Sequence, residues 1–146
     1  MYSRILVTLE HSAADAAILE HVRRLAKHCS SSVVLVHVAD GFAARNVKTL
    51  DLRESEEVQK DRAYIEQCRE ALAADGIPTE ALLASGDPSE EIVAAAERER
   101  ADLIAMATHG HRFLNDLVRG SVANQVRHAS LVPVLLVRTP PPHEVR

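Results

Sequence analysis

The chain of 146 residues is long enough for one substantial core and too short for two ordinary domains. Its composition, 47% hydrophobic and 26% charged, is globular, and a formal net charge of -4 argues against a general affinity for nucleic acid or anionic membranes. No apolar run approaches the roughly 18 residues that a bilayer span requires, and the N-terminus has no secretory pattern, so a soluble cytoplasmic protein without a membrane partner is expected. Cys29 and Cys68 are not closely spaced; they suggest two buried structural thiols rather than a disulfide framework or a zinc site.

In chain order, strand-like and helix-like stretches alternate. Ile5, Leu6 and Val7 fit a short buried strand; Ser12 and Asp15 can then open a helix in which Ile18, Val22, Leu25 and Ala26 share a face. Residues 33–38 are rich in β-branched side chains and form a second buried strand, interrupted at Asp40-Gly41. His37, near its end, is read as a satisfied core histidine rather than a ligand. Residues 41–51 have no periodicity and are expected to be irregular and mobile.

Val58, Ile65, Cys68 and Leu72 then recur at helical spacing, which predicts a long amphipathic helix ending near Asp75-Gly76. Ile77-Pro78 begins a weaker strand through Leu82 and Leu83, stopped by Gly86. Asp87-Pro88-Ser89-Glu90 is a helix start, with Asp87 as N-cap, Pro88 in the first turn and Glu90 three residues after the cap; Ile92, Val93 and Ala96 form the inner face. An apolar run from Leu103 to Met106 predicts the fourth strand. After it come a glycine turn at Gly110 and a helix starting at Gly120-Ser121, with Val122, Val126 and Ala129 on one face. Residues 134–137 are the last strand. Five strands separated mostly by helices indicate parallel pairing with right-handed crossovers, a three-layer α/β fold with helices on both faces. A single domain over residues 1–139 is expected, followed by a loose tail over 140–146 that holds three successive prolines.

The stretch between the fourth strand and the following helix carries the chemistry. Glycine lets the backbone approach a ligand, and the amides of Gly120, Ser121 and Val122 with the Ser121 hydroxyl can cradle an anion at a helix N-terminus. An ordinary strand, turn and helix would have the same residues. Other chemistries are less well supplied. His109 and His111 form an HxH pair without a third ligand in view, so no metal site is expected. Ser121 has no GxSxG elbow around it, and no GxxxxGK is present to reach terminal phosphates. Arg112 and Arg119 flank the cradle and are candidates for added positive charge. No base that would orient water is evident; no catalytic residue is assigned, and slow hydrolysis is the most that is expected.

These residues resemble the universal stress protein family, whose nucleotide-binding members carry glycine, two residues, glycine, nine residues, then glycine and serine or threonine. Here the span runs from Ala107 through Gly110 to Gly120-Ser121, and three of the four positions match, with Ala107 where the first glycine belongs. The likeness extends from ILVTLEHSAADAAILEHVRRLA to VPVLLVR, nearly the whole chain. It implies an open five-stranded parallel sheet in the order 3-2-1-4-5 and a stress-response regulator that binds ATP or a related adenine nucleotide, with Mg2+ as a candidate companion. It further implies that Thr8 and Glu10 stand at the contact positions after strand one, Val38 at the adenine side, Met106 and Ala107 before the loop, and Gly110, Gly120, Ser121 and Val122 in the phosphate cradle. Two departures bear on this transfer: the Ala107 methyl, which matters if that position needs positive φ or close ligand approach, and the extra methylene of Glu10 where the family has aspartate. A homodimer is also implied, strand five of each copy pairing through a patch that includes Val134 and Leu136. The alternative is a dimerisation or regulatory scaffold of the same fold that binds no nucleotide.

Overall fold

The computed structural model describes residues 1–40, 51–108 and 116–139, and the side chains of these residues except 40, 51–55 and 116–121. Expectations for residues 41–50, 109–115 and 140–146 lie outside the described residues; Gly110, His109, His111 and Arg112 are among them. Among the described residues nine elements follow one another: β1 (Arg4–Thr8), α1 (Asp15–Cys29), β2 (Ser32–Asp40), α2 (Asp51–Ala74), β3 (Thr79–Gly86), α3 (Pro88–Arg98), β4 (Leu103–Thr108), α4 (Asp116–Ala129) and β5 (Val134–Arg138). The strands form one sheet in the order β3-β2-β1-β4-β5, and every pairing is parallel.

Alternation along the strands divides the core into two layers. Ile5 and Val7 of β1, Val33 and Leu35 of β2, and Leu103, Ala105 and Ala107 of β4 face Ile18, Val22 and Ala26 of α1 and Ile65 and Leu72 of α2. The intervening residues Leu6, Val34, Val36, Ile104 and Met106 face Ile92, Ala95 and Ala96 of α3 and Ala123 and Val126 of α4. Both faces of the three middle strands are therefore dry, which is why those strands read as unbroken apolar runs instead of alternating ones.

Local signals explain most boundaries. The Asp87 side chain accepts from the Glu90 amide at 3.1 Å and from the Ser89 hydroxyl at 2.8 Å, so α3 starts where the capping pattern places it. Helix α2 ends before Gly76, whose φ of 87° suits a residue without a Cβ. Other expectations are corrected. Ser12 does not cap α1: the N-cap position is Ala14, with no side-chain cap, and Ser12 Oγ accepts from the Ala14 amide instead. Cys29 and Cys68 are free but only half-buried. On α4 Val126 is buried and Val122 is half-buried against the same layer, as expected, whereas Ala129 is exposed and Ala123 is buried in its stead.

The start of α4 is also different. Gly120 and Ser121 were expected to open the helix, yet it begins at Asp116 and they are its fifth and sixth residues. A single interior glycine costs about 1 kcal/mol, too little to stop a helix once begun. Among the described residues no helix is long and apolar enough to cross a membrane.

Candidate functional site

In a parallel sheet of this order the winding reverses between β1 and β4, and the crevice beyond their carboxyl ends is where ligands settle. Thr8 and Met106 lie at this edge, 9% and 5% exposed, and Glu10 and Val38 are half-buried beside them. Met106 belongs to the layer of α3 and α4, against which Val38 packs. Ala107 is a regular residue of β4, absent from the positive-φ positions, and its methyl belongs to the opposite layer beneath α1 and α2. The methyl is thus absorbed by the core, and the residue needs no glycine conformation. Of the phosphate-cradle residues, Gly120, Ser121 and Val122 lie in α4, and the side chains of the first two are outside the described residues, as is that of Arg119.

The loop after β1 is fixed by a group that sequence reasoning treated only as a helix opener. Asp15 is 1% exposed, and its carboxylate accepts from the amides of Glu10 at 2.9 Å, His11 at 2.8 Å and Ser12 at 3.4 Å. The Tyr64 hydroxyl, from α2, donates to the same carboxylate at 2.6 Å. A buried carboxylate needs several donors, and here the loop backbone supplies them. Burial, followed by the bond to Asp15, pushes the Tyr64 hydroxyl far above the ordinary phenol value and keeps it a donor. His11 takes φ of 61°, uncommon for a residue with a Cβ, and its ring stacks on Tyr64 with centroids 4.0 Å apart. The loop is also tied to β2 through the Leu9 amide and the Val36 carbonyl at 2.8 Å.

His37 is a satisfied histidine as expected: its Nδ1 lies 2.9 Å from the Leu9 carbonyl oxygen. Its second partner was not expected. Asp61 of α2 stands 3.5 Å from its Nε2 and 2.6 Å from Nδ1 of His11. None of the tyrosine and aspartate contacts was legible, because Tyr64 and Asp61 lie on a helix about 50 positions downstream of the loop residues they touch. The spacing of Asp15 behind His11 was the one available hint. Among the described residues no group of histidine, cysteine and acidic side chains could hold a metal ion.

The model of the universal stress protein family matches residues 1–138. The chain belongs to this family. This universal stress protein is 28% identical to universal stress protein MJ0577 of Methanocaldococcus jannaschii, over 94% of this chain and 96% of that protein. The solved structure of MJ0577 superposes with a TM-score of 0.84, covering 96% of this chain and 98% of that one. Two more distant structures share the fold. One is a universal stress protein in complex with cAMP, with 18% identity, a TM-score of 0.71 and coverage of 95% and 98%. The other is the Archaeoglobus fulgidus protein in complex with dAMP, with 22% identity, a TM-score of 0.66 and coverage of 93% and 98%.

Proposed function

We propose that this universal stress protein binds ATP or a related adenine nucleotide in the crevice between β1 and β4 and acts as a stress-response regulator. The observation that carries the reading is the β1 loop: Asp15 and Tyr64 hold the backbone of Glu10 and His11 in place at the sheet edge where the winding reverses, so a contact surface exists before any ligand arrives. Support also comes from the cAMP and dAMP complexes of proteins with this fold. In this reading Thr8 and Glu10 meet the nucleoside, Val38 flanks the adenine, Met106 and Ala107 lead into the loop, and Gly110, Gly120, Ser121 and Val122 receive the phosphates, with Mg2+ as their counter-charge.

Mass spectrometry of ligand released from freshly purified protein identifies the nucleotide. Gly120→Val with Ser121→Ala should then remove roughly 2 to 4 kcal/mol of ATP affinity, by crowding the anion path and deleting a hydroxyl donor. Glu10→Ala should weaken adenosine and ATP alike. Unchanged ATP affinity by calorimetry in a folded double variant, or no adenine nucleotide bound by the parent, would favour a scaffold of the same fold instead.

A further inference from the structure

Three segments far apart in sequence meet at the loop after β1, and Asp61 is their hinge point. Its Oδ1 takes the hydrogen bond of His11 Nδ1 at 2.6 Å, and its Oδ2 stands at ion-pair distance, 3.5 Å, from His37 Nε2. The remaining nitrogen of His37, Nδ1, lies 2.9 Å from the carbonyl oxygen of Leu9. A carbonyl oxygen only accepts, so Nδ1 carries a hydrogen. In a neutral His37 this leaves Nε2 as a bare lone pair facing a carboxylate. Only the imidazolium donates on both sides, to Leu9 and to Asp61 at once.

The neighbours in the chain give this arrangement a target. Glu10 precedes His11 and Val38 follows His37, so the two histidines are adjacent to the nucleoside-side and adenine-side positions of the proposed site. We infer that Asp61 is a positioning residue for the nucleotide, gripping the β1 loop through His11 and the end of β2 through His37, and that its grip is tightest when His37 holds its second proton. The inference rests on the nucleotide-binding reading above. Among the described residues, Asp61 and Tyr64 from α2 contact the rings, and Asp15 from α1 bonds the same tyrosine and the His11 amide. The two rings meet edge to face with centroids 6.2 Å apart and share the Asp61 carboxylate.

The test compares the parent with Asp61→Asn, Asp61→Glu and His37→Gln at about pH 6 and about pH 8, the range in which histidine titrates. ATP affinity is measured by calorimetry, and amide-exchange protection factors of Glu10 and His11 are measured in the nucleotide-free protein. Between the two pH values the parent should lose about three- to tenfold in affinity beyond any change in Asp61→Asn, a modest size for a partly exposed ion pair. Asp61→Asn and His37→Gln should bind weakly at both pH values, and Asp61→Glu should restore part of the slope. The parent's protection factors should fall toward those of Asp61→Asn at the higher pH. Parallel pH profiles in parent and Asp61→Asn, or equal protection at both pH values, overturn the inference. If the parent binds no ATP at either pH, the nucleotide reading fails, and the protection factors alone decide whether the brace exists.

Discussion

At the residue scale, buried or half-buried carboxylates organise backbone that the hydrophobic pattern leaves undetermined. Asp15 does so for the β1 loop, and Asp102 for the opposite end of the sheet. Asp102 accepts from the amides of Ser3 at 2.8 Å and Arg4 at 3.0 Å, tying the entry of β4 to the entry of β1. Partial burial pushes its carboxyl up, but the backbone bonds from Ser3 and Arg4 outweigh that and hold it below the usual carboxylate range. A depressed folded value means that the charged form stabilises the fold. The contribution is fully present above the unfolded value of about 3.9 and is lost as pH falls through the lower folded value. Asp102→Asn, which resembles the protonated acid, should therefore destabilise the protein at pH 7 by on the order of 1 to 2 kcal/mol. The gap to the parent should close in acid. Denaturant midpoints measured for both proteins at neutral pH and at successively lower pH check this, and a gap that stays constant down to acid unfolding would show that the Asp102 charge contributes nothing.

At the element scale, what the sequence made legible follows from how far each signal reaches. Strand and helix identities came from apolar spacing within a dozen residues, and α3 from the four residues at its start, since Asp87 contacts only Ser89 and Glu90 to form its cap. The strand order came from family resemblance, because apolar runs in β1, β2 and β4 look alike and do not state their neighbours. The Asp15, Tyr64 and Asp61 contacts depend on side chains about 50 positions apart and had no local signature. The start of α4 was misplaced because a glycine suggested an end where the backbone runs through. That error has a functional consequence. In an α-helix beginning at Asp116 the donors without an intrahelical acceptor belong to the first turn, and the amides of Gly120 and Ser121 lie past it. If these amides are to receive phosphate, nucleotide binding must unwind the turn from Asp116 to Arg119, and the glycine at its end weakens that turn by about 1 kcal/mol. Backbone chemical shifts of these four residues should move from helical to extended values on adding ATP. Gly120→Ala should hold the turn closed and lower ATP affinity while raising helix content; persistent helical shifts in the saturated complex would instead assign the phosphates to the first-turn amides.

At the scale of the whole molecule, the sheet is closed unequally. Strands β1, β2 and β4 have neighbours on both sides, whereas β5 has β4 alone among the described strands. Its residues are nevertheless apolar: Leu135 and Val137 pack toward α1 and α2, Val134 toward α3 and α4, and Leu136 remains 42% exposed. An apolar strand at an open edge, without lysine or proline within Val134–Arg138, is a template for pairing with another chain. Self-pairing of β5 around a twofold axis would satisfy the free backbone groups and cover Leu136, and it needs one patch on each copy. We therefore expect a homodimer. Val134→Lys with Leu136→Lys should yield a monomer, and because Val134 is half-buried against the core, Leu136→Lys alone is the cleaner variant. Its side chain is already 42% exposed, so the monomer should keep the parent's circular dichroism and melt cooperatively. The crevice between β1 and β4 is a strand removed from this edge, so ATP affinity in the monomer should stay within about twofold of the parent, as expected for sites that share no partners. Light scattering across a dilution series reads the assembly directly. A parent that is already monomeric at tens of micromolar, well above the roughly micromolar dissociation constant expected of such a dimer, or a folded Leu136→Lys variant with unchanged mass, would mean that something other than a second β5 covers this edge.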